Sequence, residues 1–341
     1  MTTLEMMSFS LVAPLTMNGP FVAGCRRFAL AFVPLAVAVC GGPVGCGART
    51  GLSDDEGASL DDGALEDAAV EEAAPETSFV EDSSSDEDGP PVQVSPLVIA
   101  GDCPDSGATL VYLLSNDSTL VSFYPPTATF ATIGPIACPT SSRPNSMAVD
   151  HSGTAYVGFL SGELFRVNTA TAECQPTPFV AGQGGFTLSF GMGFSGNGDG
   201  GTETLYVASA FGDGPESTLA SIDTTTFSLE VVGKFNPPVE TPELTGTGAG
   251  DLFAFYAVGS GSAIGQINKT NADVTAQSML PGVTQGSGYA FAVWGGDFYT
   301  FTAPFGETIV TRFRPSDGSI VQVATSPQVI VGAGVSTCAP Q

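Results

Sequence analysis

Three aspartates, Asp150, Asp251 and Asp297, are the residues whose type and recurrent placement in this sequence could do chemistry. Each stands near the start of a short apolar run that we predict to be a β-strand. Carboxylates that converge on one cleft are the machinery of glycoside hydrolysis. An aspartate near glycine also accepts backbone hydrogen bonds in turns, so a structural role in turns is the competing interpretation.

His151 is the only histidine, and the sequence around it is typical of a turn between two strands. A histidine could act as a base beside a carboxylate, but no Gly-x-Ser-x-Gly elbow accompanies it. The glycine-rich segment 196–201 has one carboxylate where calcium loops use several, and segment 246–250 precedes a predicted strand where a nucleotide loop precedes a helix. The sequence therefore predicts no catalytic residues, no cofactor and no metal site.

Trp294, the only tryptophan, lies with Tyr289 in the most aromatic part of the chain. Aromatic rings at the mouth of a pocket can stack on sugars or peptide side chains, although packing in the core is the competing role. These two residues and Asp150, Asp251 and Asp297 form the candidate ligand platform.

A short sequence motif is repeated five times between Leu120 and Asp317, and the elements that it forms must position these residues. The motif consists of an apolar residue, two variable residues, a second apolar residue, a polar or aromatic residue and a turn. The second apolar residues, which we call anchors, are Phe123, Val167, Ile222, Ile267 and Phe313. Their spacings of 44, 55, 45 and 46 residues match one four-stranded propeller blade per repeat.

An apolar strand precedes each anchor, and a run of glycine and small residues, suited to a crowded axis, precedes that strand in all but the first repeat. The run from Ile330 to Cys338 is of this inner type but has no blade of its own. We therefore predict an all-β fold, a β-propeller of five four-stranded blades over residues 95–341. The C-terminal strand should complete the first blade beside the strand around Tyr112, which leaves no open edge at the seam.

The segment Ile222-Asp223-Thr224-Thr225-Thr226 resembles the Ile-Asp-x-x-Thr-like hairpin that recurs in NHL-type and streptogramin-lyase-like propellers. The resemblance covers most of residues 95–341 and implies a propeller fold. Those lyases use histidine in their active site, so a chain with one histidine resembles them in fold rather than in activity.

Residues 1–45 have the features of a secretory signal: Arg26-Arg27, an apolar run from Phe28 to Val39, and small residues before Cys46. Met17 is an equally credible initiator, which would place residues 1–16 upstream of the true start. The end of the segment resembles a bacterial lipoprotein signal, which implies that Cys46 carries the lipid; simple secretion and a retained membrane segment are the alternatives. Because Gly47 is not the aspartate that favours the inner membrane, we expect an outer-membrane anchor on the periplasmic or cell-surface side.

The charge of −26 is unevenly distributed, since residues 47–94 hold fifteen acids and one arginine. Such a stretch cannot bury enough apolar surface to fold, so residues 46–94 are predicted to be a disordered acidic tether. Residues 95–341 hold nineteen acids and six bases, without a basic patch that could neutralise phosphates. We expect no nucleic-acid partner, and membrane contact through the lipid anchor only.

Four cysteines remain beyond the anchor: Cys103, Cys138, Cys174 and Cys338. An even number in an exported chain, without a Cys-x-x-Cys pair, favours two disulfides over metal ligation. Three pairings are possible. Closure of a ring favours Cys103 with Cys338, and Cys138 with Cys174 on neighbouring outer edges.

The leading functional hypothesis is a lipid-anchored, extracytoplasmic propeller that binds a protein or glycan partner without catalysis. The alternative is a carbohydrate-active enzyme that uses the three aspartates at the propeller funnel. A structural envelope protein without a defined ligand is the third possibility.

Overall fold

The computed structural model describes residues 90–95, 110–199, 201–209 and 217–341. The predicted signal, Cys46, Cys103 and all but the last five residues of the predicted tether lie outside these ranges. Within them, no helix has the length and apolarity needed to cross a membrane.

The described residues form twenty strands in five four-stranded antiparallel sheets, which are the blades of a propeller. In each blade, the strands are given in their order from the axis to the outer edge. The first blade consists of β20 (Ile330–Val335), β1 (Val111–Ser115), β2 (Thr119–Tyr124) and β3 (Thr129–Pro135). The second consists of β4 (Pro144–Val149), β5 (Thr154–Phe159), β6 (Leu164–Asn168) and β7 (Cys174–Pro176). The third consists of β8 (Phe190–Gly196), β9 (Glu203–Ser209), β10 (Thr218–Ile222) and β11 (Leu229–Lys234). The fourth consists of β12 (Glu243–Gly246), β13 (Leu252–Val258), β14 (Gly261–Ile267) and β15 (Val274–Leu280). The fifth consists of β16 (Tyr289–Trp294), β17 (Asp297–Thr302), β18 (Thr308–Arg314) and β19 (Ser319–Ser326). Two short 3₁₀ turns, Pro125–Thr127 and Gln183–Gly185, lie in the connections.

The first blade is completed by the C-terminal strand. β20 pairs antiparallel with β1, so that Tyr112 lies opposite Gly334 and Val111 opposite Val335. The predicted five-bladed architecture and its closure are therefore confirmed. The edge that β1 would otherwise expose at the seam is paired.

The repeated motif forms the hairpin between the third and fourth strands of each blade. All five anchors are buried, and five residues after each anchor the chain passes through a left-handed backbone conformation. These left-handed residues are Ala128, Ala172, Phe227, Ala272 and Gly318. In the last four hairpins their N–H donates to the carbonyl four residues earlier, which closes the turn. Four of the five are not glycine, although this conformation is unfavourable for other residues. The last four copies therefore share one hairpin geometry, and the first copy shares its left-handed residue.

The core lies between the blades, where aromatic rings meet edge to face. Phe123 and Phe301 join the first and fifth blades with ring centres 5.5 Å apart, and Phe253 and Phe298 join the fourth and fifth at 4.8 Å. Ring pairs of this geometry add about 0.5–1.5 kcal/mol each beyond the area they bury.

The inner strands run parallel around the axis and approach each other at glycine. A Cβ added at Gly193 of β8 would lie 2.8 Å from the Thr245 Cα of β12. One added at Gly334 of β20 would lie 2.9 Å from the Val149 nitrogen of β4. Backbone thus packs on backbone at these places, as the small residues of the inner runs predict. We call the ends where the inner strands begin the upper face, and the ends where they stop the lower face.

Neighbouring blades are bonded to each other at equivalent places, near the hairpin between the third and fourth strands. The kind of bond differs from one pair of blades to the next. Between the first and second blades this is the Cys138–Cys174 disulfide, with Cα atoms 5.1 Å apart, which confirms the predicted pair. Between the third and fourth blades, the Asn236 N–H donates to the Ala272 carbonyl. Cys338 is also disulfide-bonded, while Cys103, its predicted partner, lies outside the described residues.

Residues 90–95 lie against the fourth blade. The Gln277 N–H of β15 donates to the Pro90 carbonyl, and Val92 is fully buried in the core of the fourth, fifth and first blades. The Ser95 N–H donates to Asp251 at the lower face. The chain therefore joins the propeller on the flank and lower side of the fourth blade.

Candidate functional site

The three aspartates of the candidate platform lie on the lower face, at the turns between first and second strands. The Asp150 carboxylate accepts hydrogen bonds from the Thr154 N–H at 2.8 Å and the Ser152 hydroxyl at 2.6 Å. Both partners belong to its own turn, as the structural interpretation of this aspartate predicts.

Asp251 and Asp297 have partners of other kinds. Asp251 accepts from the Ser95 N–H at 2.8 Å and from the Gln266 amide at 3.2 Å. Asp297 accepts two hydrogen bonds from Arg314, at 3.1 and 3.0 Å. This paired contact raises the pKa of Arg314. Each of the three platform carboxylates is thus held by separate partners, and the contacts that hold them do not bring them together.

The two platform aromatics lie at opposite ends of β16. Trp294 ends the strand on the lower face, where its ring meets Tyr124 edge to face at 6.4 Å. Tyr289 begins the strand on the upper face, and its hydroxyl donates to the Thr241 carbonyl at 2.9 Å. Burial raises the pKa of Tyr289 to about 12. The two rings therefore belong to different surfaces.

His151 pairs with a carboxylate that sequence reasoning did not single out. The ring Nδ1 of His151 lies 2.8 Å from Glu203 Oε1, and the backbone N–H of His151 donates to the same oxygen at 2.8 Å. The other oxygen of Glu203 accepts from the Thr337 hydroxyl at 2.6 Å. A histidine held through Nδ1 is fixed in orientation, but here the pair ties the second and third blades to the C-terminal segment.

That C-terminal segment, residues 336–341, crosses the lower end of the axis. Thr337 bonds to the third blade, and the Pro340 carbonyl accepts from the Gly295 N–H of the fifth blade at 2.7 Å. Ala339 between them is fully buried. The chain's C-terminal segment thus links the third and fifth blades on the lower face.

Near the upper end of the axis lies a buried carboxyl group. Glu243, the first residue of β12, is 4% exposed, and its Oε2 accepts from the Ser146 hydroxyl of β4 at 2.6 Å. The same hydroxyl accepts from the Met192 N–H of β8, the strand between them in the ring. Burial raises the pKa of Glu243 well above its usual range, and the hydrogen bond from Ser146 offsets this only in part. Glu243, through Ser146, therefore links the inner strands of the second, third and fourth blades near the axis.

An apolar surface lies instead on the outer flank between the second and third blades. Of seven large hydrophobic residues that are exposed among the described residues, four surround the connection 177–189 between the second and third blades. They are Leu160 at 47% exposure, Val180 at 66%, Leu188 at 46% and Val231 at 47%, and we call them the Val180 patch.

The four residues lie on or beside one connection although they come from three segments. A Cβ added at Gly162 would lie 3.0 Å from the Ala181 Cβ and 3.4 Å from the Leu188 carbonyl oxygen, which places the loop after Leu160 against this connection. At the other end, a Cβ at Gly184 would lie 3.0 Å from Val231 Cγ2. The patch therefore runs from the second blade onto the outer strand of the third.

Connection 177–189 is held in place by contacts with the third blade. Phe179 and Phe186 are buried, and each packs edge to face on Phe190 at the start of β8. The Gln183 side chain donates to the Phe227 carbonyl at 3.0 Å and accepts from the Leu229 N–H at 3.1 Å. These contacts order the loop before any ligand arrives, which lowers the entropy cost of binding.

No protein-family model matches this chain, and no curated protein matches it. Solved structures show distant similarity. A chain of the crystal structure of a nidogen/laminin complex is 12% identical, with a TM-score of 0.40, and the match covers 67% of this chain and 80% of that one. The Dos1 propeller is 14% identical, with a TM-score of 0.35 and coverage of 65% and 57%. A protein of unknown function from Bacteroides caccae is 13% identical, with a TM-score of 0.33 and coverage of 63% and 72%. The resemblance to NHL-type propellers stays a prediction.

Within the described ranges, no three His, Cys, Asp or Glu side chains gather as metal ligands. The Val180 patch was missed by sequence reasoning because exposed leucine and valine look like core residues in a sequence. A useful signal was present in the long anchor spacing of 55 residues, part of which is this connection.

Proposed function

We propose that this chain is a lipid-anchored, extracytoplasmic binding module whose propeller holds a protein partner at the Val180 patch. One observation carries the proposal: four of the seven exposed large hydrophobic residues surround a single ordered loop. Scattered apolar residues are normal on a protein surface, whereas contiguous ones mark interaction sites.

The chemistry of the patch favours a protein over a glycan. Its side chains are aliphatic, and sugars are usually bound by aromatic rings together with converging polar groups. The aromatic residues predicted for such a platform, Trp294 and Tyr289, lie on opposite faces. A partner that inserts apolar side chains between Leu160 and Val231 fits the surface best.

The proposed anchor leaves this surface accessible. The lipid would be attached at Cys46, and the chain reaches the folded part at Pro90 on the flank of the fourth blade. The patch lies on the second and third blades. An acidic tether of some forty residues would hold the propeller on the order of 40 Å from the membrane, so a partner could approach the patch.

Site-specific photo-crosslinking tests the binding surface. We expect a photoreactive residue at position 180 to give discrete protein adducts in intact envelopes, since Val180 is 66% exposed and its replacement leaves the core unchanged. The matched control is the same residue at position 270, on an exposed turn of the fourth blade. Adding Leu160→Asp should reduce the position-180 adducts about tenfold, because a charge in an apolar contact is left without a partner. Equal adducts at both positions, or none at position 180, would refute the patch as the binding site.

The anchor is tested separately, on the mature N-terminus. We expect mass spectrometry to find a diacylglycerol-modified Cys46 as the first residue, and Cys46→Ser to release the protein from the membrane fraction. Cys40→Ser serves as the control and should leave the protein membrane-bound. An unmodified terminus at another residue would contradict lipidation without bearing on the patch.

A further inference from the structure

Residues 90–95, which we call the strap, belong to none of the five blades. Each blade has its four strands without them, and the pairing of β20 with β1 closes the ring. The strap is nevertheless bound in a groove beside β15 of the fourth blade, and its burial alternates. Val92 is fully buried and Val94 is partly buried on the same core cluster, whereas Gln93 between them is exposed. This alternation is typical of an extended peptide that is bound along one side.

Three hydrogen bonds to the backbone of the strap hold it in this groove. The Gln277 N–H of β15 donates to the first carbonyl of the strap. The Val92 N–H donates to the hydroxyl of Ser278, which is itself buried, at 3.2 Å. The Ser95 N–H donates to the Asp251 carboxylate at 2.8 Å. Main-chain hydrogen bonds combined with pockets for alternate side chains are a recurring mode of peptide recognition.

Asp251 is available to the strap because the fourth blade lacks an arginine that the fifth blade has. In the fifth blade, Arg314 donates to both carboxylate oxygens of Asp297. Arg314 directly follows its anchor, and the residue in that position of the fourth blade is Asn268. The Gln266 amide contacts only Oδ1 of Asp251, so that Oδ2 accepts from the strap. The aspartate that recurs in the turns thus binds a backbone N–H of the strap in this blade.

We propose that this groove is a peptide-binding site, which the chain closes with its own strap and which a peptide of the same chemistry enters when the strap leaves. The strap can leave without opening a blade, because all twenty strands pair without it. The peptide is extended and has small apolar residues at the positions of Val92 and Val94. It has a backbone N–H at the positions of Val92 and Ser95, which excludes proline from both.

The covalent connection between strap and propeller keeps the groove closed in the wild-type chain. A segment that is linked to its own site has an effective concentration on the order of millimolar there, so it occupies the site ahead of a free peptide. The strap contributes one fully buried side chain and three hydrogen bonds, so the contact itself is weak enough to exchange. This site belongs to the fourth blade and does not depend on the Val180 patch.

Fluorescence anisotropy of a labelled synthetic peptide with the sequence of residues 89–96 tests the proposal on the full chain. In Val92→Asp the strap cannot occupy the groove, because a charge would be buried there without a partner. We expect this variant to bind the peptide at least about tenfold more tightly than the wild type, whose groove is occupied. Gln93→Asp, which places the same charge on the exposed side of the strap, is the matched control and should bind like the wild type. A peptide that carries Val92→Asp should bind to none of these chains.

Ser95→Pro opens the groove by a second route, since it removes the N–H that Asp251 accepts, and it should also gain peptide binding. Adding Asp251→Ala to Val92→Asp should abolish the gain, whereas adding Asp150→Ala, at the equivalent turn of the second blade, should not.

The proposal fails if Val92→Asp and Ser95→Pro keep the circular dichroism of the wild type and bind no peptide at millimolar concentration. Wild-type binding as tight as theirs would also overturn it. Loss of the native spectrum in both variants would mean that the strap is an essential part of the fold. A wild-type dimer that Val92→Asp dissociates would mean that two copies exchange straps, and either result would rule out a groove closed by a displaceable strap of the same chain.

Discussion

Replacing Glu243 by glutamine makes the protein more stable at alkaline pH and leaves its stability at acid pH nearly unchanged. Glu243 is buried in the axis, and burial raises the pKa of its carboxyl group well above 4.5, the value in the unfolded chain. Between these two pKa values the folded protein holds a proton that the unfolded chain releases. Unfolding therefore becomes easier as pH rises through this window, by about 1.4 kcal/mol per pH unit for one group.

Glutamine keeps the shape of the side chain and can still accept the hydrogen bond from Ser146, but it has no proton to lose. The difference in unfolding free energy between Glu243→Gln and wild type should be near zero below pH 4.5 and grow with pH until the folded pKa is passed. Urea unfolding from about pH 4 to pH 9 measures it. Glu230→Gln, on an exposed strand position, is the control and should show no such growth. Parallel stability curves for Glu243→Gln and wild type would mean that Glu243 does not hold a proton across this window.

The fold could be predicted from the sequence because its signals are local and repeated. Each anchor, such as Ile222, is separated by five residues from the left-handed residue of its hairpin, here Phe227. Five copies of one hairpin at nearly constant spacing leave few architectures other than a propeller. The unpaired run from Ile330 then indicated how the ring closes, and the pairing of β20 with β1 confirms it.

The candidate sites could not be predicted in the same way, because they depend on closure of the ring. Ser146 and Glu243 are 97 residues apart, and His151 and Glu203 are 52 apart. Neither pair shares a motif, and each meets only because two blades are placed side by side. Sequence reasoning therefore found the aspartates of the turns, which repeat, and overlooked the two glutamates, which do not.

The connection beneath the Val180 patch is hard to interpret from its sequence for a related reason. Its glycines resemble those of an inner run, whereas β8 begins only at Phe190. Small residues suit a crowded axis, but glycine also permits the left-handed conformations that Gly182, Gly184 and Gly185 adopt here. Composition alone cannot separate these two uses.

Close contact at the axis makes Gly193 a position where a small change should have a large effect. A Cβ at Gly193 would lie 2.8 Å from the Thr245 Cα and nitrogen of β12, closer than side-chain carbons approach backbone. Gly193→Val adds three carbons there, and β8 and β12 cannot separate without opening the ring that all five inner strands share. We expect a loss of more than about 4 kcal/mol of unfolding free energy, the range reserved for severe core disruption.

Chemical denaturation followed by circular dichroism measures this loss, and Gly201→Val is the matched control. Gly201 lies in the turn after β8, where an added Cβ would meet no atom within 4 Å, so that variant should unfold within about 0.5 kcal/mol of the wild type. Gly193 lies outside the left-handed region, so its predicted loss comes from close contact and not from backbone strain. If Gly193→Val unfolded like the control, the inner strands would have to be further apart than the axis described here, and Glu243 could not reach Ser146 across it.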